Sequence, residues 1–122
     1  MIINTINMRK VGFIFLIGLS LASFRTLQLF NTSLTITVRD EVGNTVAGAS
    51  VKLFETEENY TKETNSIAEG TTDAKGVAKF KKLKPAAYFV LVKKDDKDNA
   101  GGGEKIGKLE EGKFNKVTIV IQ

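Results

Sequence analysis

After residue 32 the chain consists of short segments in which apolar and polar residues alternate, separated by turn residues. The first two segments run from Leu34 to Arg39 and from Ala49 to Phe54. A period of two places successive side chains on opposite faces of a strand, so each segment predicts a strand with one buried face. Similar segments follow at residues 67–72, 77–83, 88–93, 104–109 and 115–122. About seven strands at this spacing, without a helical period, predict an antiparallel β-sandwich.

The segment from Tyr88 to Lys93 is apolar on both faces. Such a strand belongs in the centre of a sheet, or its outer side is covered by another element. Together the inward positions of the segments predict a core between two sheets. The residues expected to be mostly buried are Val38, Val51, Leu53, Phe80, Tyr88, Val90 and Ile119.

Two long polar segments interrupt the alternation. Residues 55–65 predict a loop or an irregular edge, and residues 95–103, which end in three glycines, predict a mobile hairpin tip. Loops carry recognition while strands form the framework, so these are the candidate binding loops. We expect that residues 95–103 could be shortened without loss of stability. The candidate binding residues are Glu57, Glu58, Tyr60, Asp96 and Asp98.

The N-terminal region has a different pattern. Arg9 and Lys10 precede an uncharged, mostly apolar run at residues 11–24. A bilayer span takes roughly 20 residues, so this shorter run predicts a secretory signal peptide. Small residues before Ser23 predict residues 1–22 as the signal peptide, 23–32 as a linker and 33–122 as the folded domain. An uncleaved membrane anchor is the alternative, and Met8 is an alternative start.

Composition excludes several classes of chemistry. The chain contains no cysteine and no histidine, so thiolate chemistry, a lipid-anchored cysteine and a histidine base are impossible. Its net charge is +4, and cleavage of the signal would leave 16 basic against 14 acidic residues, or +2. That excess is too small to indicate nucleic acid. We expect no cofactor, no nucleic-acid partner and no stable membrane span after cleavage.

Two charged clusters could carry a site. Lysines at positions 79, 81, 82 and 84 alternate in part with apolar residues, which predicts a solvated strand face without interleaved aromatic rings. Asp95, Asp96 and Asp98 are weak candidates for a calcium site, since hard cations bind clustered oxygens. Their spacing does not match an EF-hand loop, because Gly107 stands where its glutamate would be. We therefore predict no metal site.

The turns between these strands resemble those of a known family. The carrying residues are Asp40-x-x-Gly43, Val46-x-Gly48-Ala49-x-Val51, Thr72-Asp73-x-x-Gly76 and Leu83-x-Pro85-x-x-Tyr88. This pattern, over residues 33–94, resembles the carboxypeptidase regulatory-like domain of the transthyretin-like, or prealbumin-like, superfamily. The resemblance implies a Greek-key β-sandwich that serves as an accessory surface module in exported bacterial proteins. It implies a structural turn role for Asp40, Gly43, Gly48, Asp73 and Gly76.

Related families with a defined activity or ligand match this sequence less well. Hydroxyisourate hydrolases rely on histidines, which this chain lacks. Collagen-adhesin repeats resemble it in their turns, but their cross-linking lysine falls on Val38 and their acid on Val92, so the cross-link is not implied. Carbohydrate-binding sandwiches present exposed aromatic side chains, and Tyr60 is the aromatic residue placed in a polar loop.

The predicted function is therefore an exported, non-catalytic module that binds a protein or polysaccharide at the bacterial cell envelope. It would be periplasmic, displayed on the cell surface or secreted. A carbohydrate-binding or adhesin-like domain is the alternative. A hydrolase using Glu55, Glu57 or Glu58 is less favoured, because glycosidase chemistry needs two carboxylates held in a cleft.

We predict that the native host exports a chain beginning at or near Ser23, because the basic residues, the short apolar run and Ser20-Leu21-Ala22 together form a cleavable signal. Intact-mass measurement on exported material checks this. A full-length mass in the membrane fraction would instead identify the segment as an anchor.

Overall fold

The computed structural model describes residues 31–122; the predicted signal peptide and all but the end of the predicted linker lie outside the described residues. The described chain forms eight strands and one short helix. They are β1 (Ser33–Asp40), β2 (Ser50–Phe54), α1 (Glu57–Lys62), β3 (Ala68–Thr71), β4 (Val77–Phe80), β5 (Tyr88–Lys94), β6 (Lys97–Asp98), β7 (Lys105–Ile106) and β8 (Phe114–Ile121).

The strands form two sheets, which confirms the predicted all-β sandwich. The three-stranded sheet has the order β4-β1-β8, and the five-stranded sheet has the order β3-β2-β5-β6, with β7 also pairing with β5. Their inner faces share one hydrophobic core. All seven residues predicted for that core are at most 6% exposed. Alternation identified them because only one face of each strand is removed from water.

One strand pair runs in the opposite sense to the antiparallel arrangement that we predicted. β8 pairs with β1 in parallel, from Ser33 beside Phe114 to Asp40 beside Ile121. Both strands start at the same end of the sandwich, where the Thr32 hydroxyl accepts the Gly112 N–H at 2.8 Å. Thr32, in the predicted linker, is therefore buried and bonded to the sheet. The strand count also differs, because the region after β5 contributes two short strands, β6 and β7, in place of one.

The prediction of a loop at residues 55–65 is wrong, since this segment contains α1. The Thr56 hydroxyl caps the helix by accepting the Asn59 N–H at 3.1 Å. Glu57 and Glu58 lie in its first turn and Lys62 in its last, as the helix dipole favours. At six residues the helix is too short to show a period of 3.6. No helix within residues 31–122 is long and apolar enough to cross a bilayer.

The prediction that residues 95–103 form a hairpin tip little constrained by core packing is wrong at Asn99. Asn99 is fully buried. Its Oδ1 accepts the Val92 N–H at 2.9 Å, and its Nδ2 donates to the carbonyl of Val90 at 2.8 Å and that of Gly103 at 3.1 Å. The side-chain amide therefore hydrogen-bonds to the backbone of β5, in the gap between the residues that pair with β6 and those that pair with β7. A buried backbone group without a partner is costly, so this residue constrains the whole segment.

The same segment also reaches the three-stranded sheet. Gln122 donates to the Asp98 carbonyl at 3.0 Å, and Val120 donates to that of Gly102 at 3.4 Å. A Cβ atom at position 102 would collide with the Val120 carbonyl oxygen. Glycine is therefore needed here for a close approach of two backbones, although the glycine run had suggested a flexible tip.

Phe80→Ala should lower the free energy of unfolding by about 3–5 kcal/mol, the usual effect of removing a large side chain from a core. Phe80 is 6% exposed, whereas Phe114 in the same sheet is 84% exposed. Phe114→Ala is therefore the matched control and should change stability by less than about 0.5 kcal/mol. Denaturant melts measure both; a loss below about 1 kcal/mol for Phe80→Ala would contradict the observed packing.

Asn99→Ala should lower the free energy of unfolding by about 2–4 kcal/mol, because it leaves the Val92 N–H and the Val90 carbonyl buried without partners. Asp96→Ala, at the exposed turn of the same segment, is the control and should be nearly neutral. Denaturant melts of the two variants compare them. Equal stabilities would mean that the segment is as dispensable as its sequence suggests.

Candidate functional site

Four of the five predicted turn residues lie in two turns that contact each other; the fifth, Gly48, lies in a separate turn, where its N–H donates to the Thr72 carbonyl at 3.0 Å. Asp40 Oδ1 accepts the N–H groups of Val42 at 3.1 Å and Asn44 at 2.9 Å. Asp73 Oδ1 accepts those of Lys75 at 2.9 Å and Val77 at 3.0 Å. Each carboxylate therefore organises the backbone that follows it.

Gly76 is the point of contact between the two turns. Its φ is +76°, a region that favours glycine, and a Cβ atom there would lie 2.8 Å from Thr45 Cβ and 2.9 Å from Val46 N. Thr72 adds a second link, because its buried hydroxyl donates to the Val46 carbonyl at 2.7 Å and accepts the Ala49 N–H at 2.8 Å. These residues position the strands.

Tyr60, a candidate binding residue, packs onto the five-stranded sheet. Its ring meets Phe54 edge-on, with 6.0 Å between centroids, and lies tilted against Phe89 at 5.9 Å. Burial, and then the nearby negative charges of Glu104 and Asp98, raise the pKa of Tyr60. Through its contacts with Phe54 and Phe89, the ring holds α1 against the sheet and covers the outer side of β5, as the apolar pattern of that strand predicted.

The remaining candidates are spread over the surface. Glu57 and Glu58 are exposed on α1, and Glu58 pairs with Lys62 at 2.8 Å. Asp96 is exposed at the turn before β6, while the Asp98 carboxylate accepts the Ala100 N–H at 2.9 Å. Within residues 31–122, no three carboxylates gather as metal ligands, so Asp95, Asp96 and Asp98 do not form a common site.

A different surface brings charged and aromatic groups together. We call it the lysine face: the outer side of the three-stranded sheet, carrying Lys79, Lys81, Lys116 and Phe114. Thr35 on the central strand lies beside Lys79 on one side and Lys116 on the other. Ser33, one row along, lies beside Phe114. A groove of about 950 Å³ runs over this face. It is lined by Asn31, Ser33, Thr35, Val77, Lys79, Lys81, Gly112, Phe114 and Lys116.

The charges of the lysine face are uncompensated by direct ion pairs. Among the described residues, no carboxylate lies within ion-pair distance of Lys79, Lys81 or Lys116. Asp73 is close enough for Lys79 to contribute to its lowered pKa, but its carboxylate accepts two backbone N–H groups. The five-stranded sheet differs, since Lys93 pairs with Glu63 at 2.8 Å.

Sequence reasoning found only part of this surface. Lys79 and Lys81 were predicted to be a solvated strand face with no aromatic neighbour, whereas the structure places Phe114 and Lys116 on the same face. These two residues belong to a strand more than 30 positions further along the chain. The signal that was available is the alternation of Phe114 and Lys116 with the inward residues of β8.

The comparisons with known proteins identify a family and a fold. A family model described as SpaA, prealbumin-like fold domain, matches residues 32–94. No curated protein matches the sequence. Among solved structures, BcpA, the major pilin subunit of Bacillus cereus, is similar with a TM-score of 0.52 and 19% identity. The full-length major pilin SpaD from Corynebacterium diphtheriae is similar with a TM-score of 0.50 and 15% identity.

These alignments cover 75% of this chain for BcpA and 74% for SpaD, but only 29% of either pilin. The chain thus spans under a third of the length of these proteins. At such identities the likeness concerns the fold, and it agrees with the prealbumin-like sandwich implied by the turn residues.

Asp73→Asn should destabilise the protein more at neutral pH than in acid. Backbone N–H groups of Val77 and Lys75 hold the pKa of Asp73 below its ordinary value. A carboxylate with a lowered pKa contributes stability that is fully present above the unfolded-state pKa, about 3.9, and is lost as pH falls through the folded-state pKa. Denaturant melts from pH 7 downward should show the two proteins converging. A stability difference that stays constant down to pH 3 would contradict this role.

Proposed function

Because the chain belongs to the family of SpaA prealbumin-like fold domains, we propose that it is an exported, non-catalytic β-sandwich module that binds a protein or a polymer at the bacterial cell surface. The family match over residues 32–94 is the observation that carries this proposal. Two similar structures, BcpA and SpaD, are described as major pilins. The signal segment predicted at residues 1–22 agrees with export.

The described residues suit a binding role better than a catalytic one. Glu57 and Glu58 lie exposed to solvent on α1. Glu55 is likewise exposed at the end of β2. General acid–base or nucleophilic chemistry would need such groups close to each other in a water-excluding site. Binding needs only a rigid framework that presents side chains, which the two packed sheets supply.

The lysine face is the surface that favours the adhesin-like or carbohydrate-binding version of this function. It combines basic side chains, hydroxyl groups and an exposed ring on one rigid sheet. The exposed acidic residues Glu57, Glu58 and Asp96 offer a second, less organised surface on the other side of the sandwich. The narrower carboxypeptidase regulatory-like assignment and the domain boundaries at residues 22 and 32 stay predictions.

Two measurements test the proposal. Antibody labelling of intact host cells should detect the chain at the surface, and the purified chain should capture a component from envelope extract. The destabilised Phe80→Ala variant serves as the control for non-specific capture. Retention in the cytoplasm would overturn the surface role. Substrate turnover that Glu57→Gln or Glu58→Gln abolished would overturn the non-catalytic role.

A further inference from the structure

We propose that the lysine face binds an anionic polysaccharide, a linear glycan that carries sulfate, phosphate or carboxylate groups. This inference rests on the proposed binding function and names the ligand class of that surface.

The first argument is charge complementarity. Lys79, Lys81 and Lys116 share one outer sheet face and form no ion pair within residues 31–122. On the opposite sheet, Lys52 Nζ lies 3.9 Å from a Glu69 carboxylate oxygen, and Lys93 Nζ lies 2.8 Å from a Glu63 carboxylate oxygen. The lysine face therefore presents several ammonium groups that a single anionic ligand can contact. An anionic polymer would neutralise them together and release its counterions.

The second argument is the spacing of the charges. Lys79 and Lys116 flank Thr35 in one row across three strands, which separates their Cα atoms by roughly 10 Å at the usual strand spacing. Lys81 follows Lys79 two residues later, roughly 7 Å along the chain. Extended from these positions, the three ammonium groups are spread across the sheet face. A linear polymer with repeated anionic groups can contact all three, because its charges recur along its length.

The third argument is the chemistry between the charges. Hydroxyl side chains of Thr35 and Thr37 lie on the outer face of the central strand, and Thr118 lies beside Thr37. A hydroxyl both donates and accepts, so this row suits the hydroxyl groups of a sugar. Phe114 is 84% exposed and borders the groove. An exposed ring offers an apolar surface to the C–H face of a pyranose, which a purely electrostatic site would not need.

Other polyanions fit this surface less well. Single-stranded nucleic acid sites stack successive bases on several aromatic rings, whereas the described part of this face presents Phe114 alone. An acidic peptide could neutralise the lysines, but its carboxylates alone would make no use of the exposed Phe114 ring. A polysaccharide uses the charges, the hydroxyl row and the ring together.

The test uses the purified full-length chain and dextran sulfate, with neutral dextran of the same length as the uncharged probe. Binding is measured by calorimetry across a range of salt concentrations. We expect the wild-type chain to bind dextran sulfate and not neutral dextran. The triple variant Lys79→Gln, Lys81→Gln, Lys116→Gln should bind roughly 10- to 100-fold more weakly, and the slope of log affinity against log salt should fall by roughly 2.

Two further variants separate this site from general attraction. Lys52→Gln, Lys62→Gln, Lys97→Gln removes the same charge from the other sheet and its helix, and it should bind like the wild type. Phe114→Ala keeps every charge and should weaken binding about fivefold with the salt slope unchanged. If both triple variants lost affinity equally, or Phe114→Ala had no effect, binding would be non-specific and the proposal would fail.

Alternative occupants appear as distinct results. Stronger binding of poly-L-glutamate or oligo(dT) than of dextran sulfate would replace the polysaccharide with an acidic peptide or a nucleic acid. Self-association that the lysine-face variant abolished, seen by sedimentation without added polymer, would identify a second copy as the occupant. If the chain reached the cell surface and captured an envelope protein but bound no dextran sulfate, this inference would fall while the proposed function stood.

Discussion

The side-chain amide of Asn99 completes the hydrogen bonding at one edge of the five-stranded sheet. Between β6 and β7 the edge of β5 has buried N–H and carbonyl groups that need partners, and an amide side chain has the same donor and acceptor as a peptide unit. The backbone on either side of Asn99, at Asp98 and Gly102, bonds to the end of β8 in the other sheet. One buried residue thereby closes the edge of the five-stranded sheet and links it to the three-stranded sheet. β8 itself is held along its whole length by its parallel pairing with β1, and this link adds a contact between its end and the other sheet.

The two outer faces of the sandwich differ because only one of them is covered. On the five-stranded sheet, Phe54 and Phe89 are apolar, and Tyr60 of α1 packs over them. On the three-stranded sheet the outward positions of the central strand are Ser33, Thr35, Thr37 and Arg39, and the flanking strands add lysines. Such a face has little apolar surface to bury, so it stays open to solvent at small cost. The exception is Phe114, whose exposed ring does not contribute to the core. Its exposure, beside three lysines that form no ion pair within residues 31–122, is what distinguishes this surface from an ordinary solvated sheet.

The candidate site illustrates where reasoning from sequence was sufficient and where it was not. Lys79 was correctly placed outward, because Ala78 and Phe80 on either side of it are apolar and buried. Asn99 was missed, since a polar residue among aspartates and glycines has the composition of an exposed turn. Asn99 is buried because it hydrogen-bonds to backbone N–H and carbonyl groups of β5. The pattern of side chains along the sequence does not show which backbone groups need a partner. Tyr60 was misplaced for a related reason: a helix of six residues is defined by its cap at Thr56 and by the sheet beneath it, not by periodicity.

The sequence by itself determined which side chains share a face and where the chain turns. Val38, Val51 and Val90 face the core because alternation with a period of two is a local property of an extended chain, and Asp73 and Gly76 form a turn through bonds within four residues. Only the tertiary structure decided which strands are neighbours. The alternation of β8 would be the same if it paired with β1 in parallel, paired with it antiparallel, or lay in the other sheet. The pattern therefore does not predict that Lys116 lies beside Thr35. That choice depends on the packing of the whole core and on the link through Asn99, and it is the choice that assembles the lysine face.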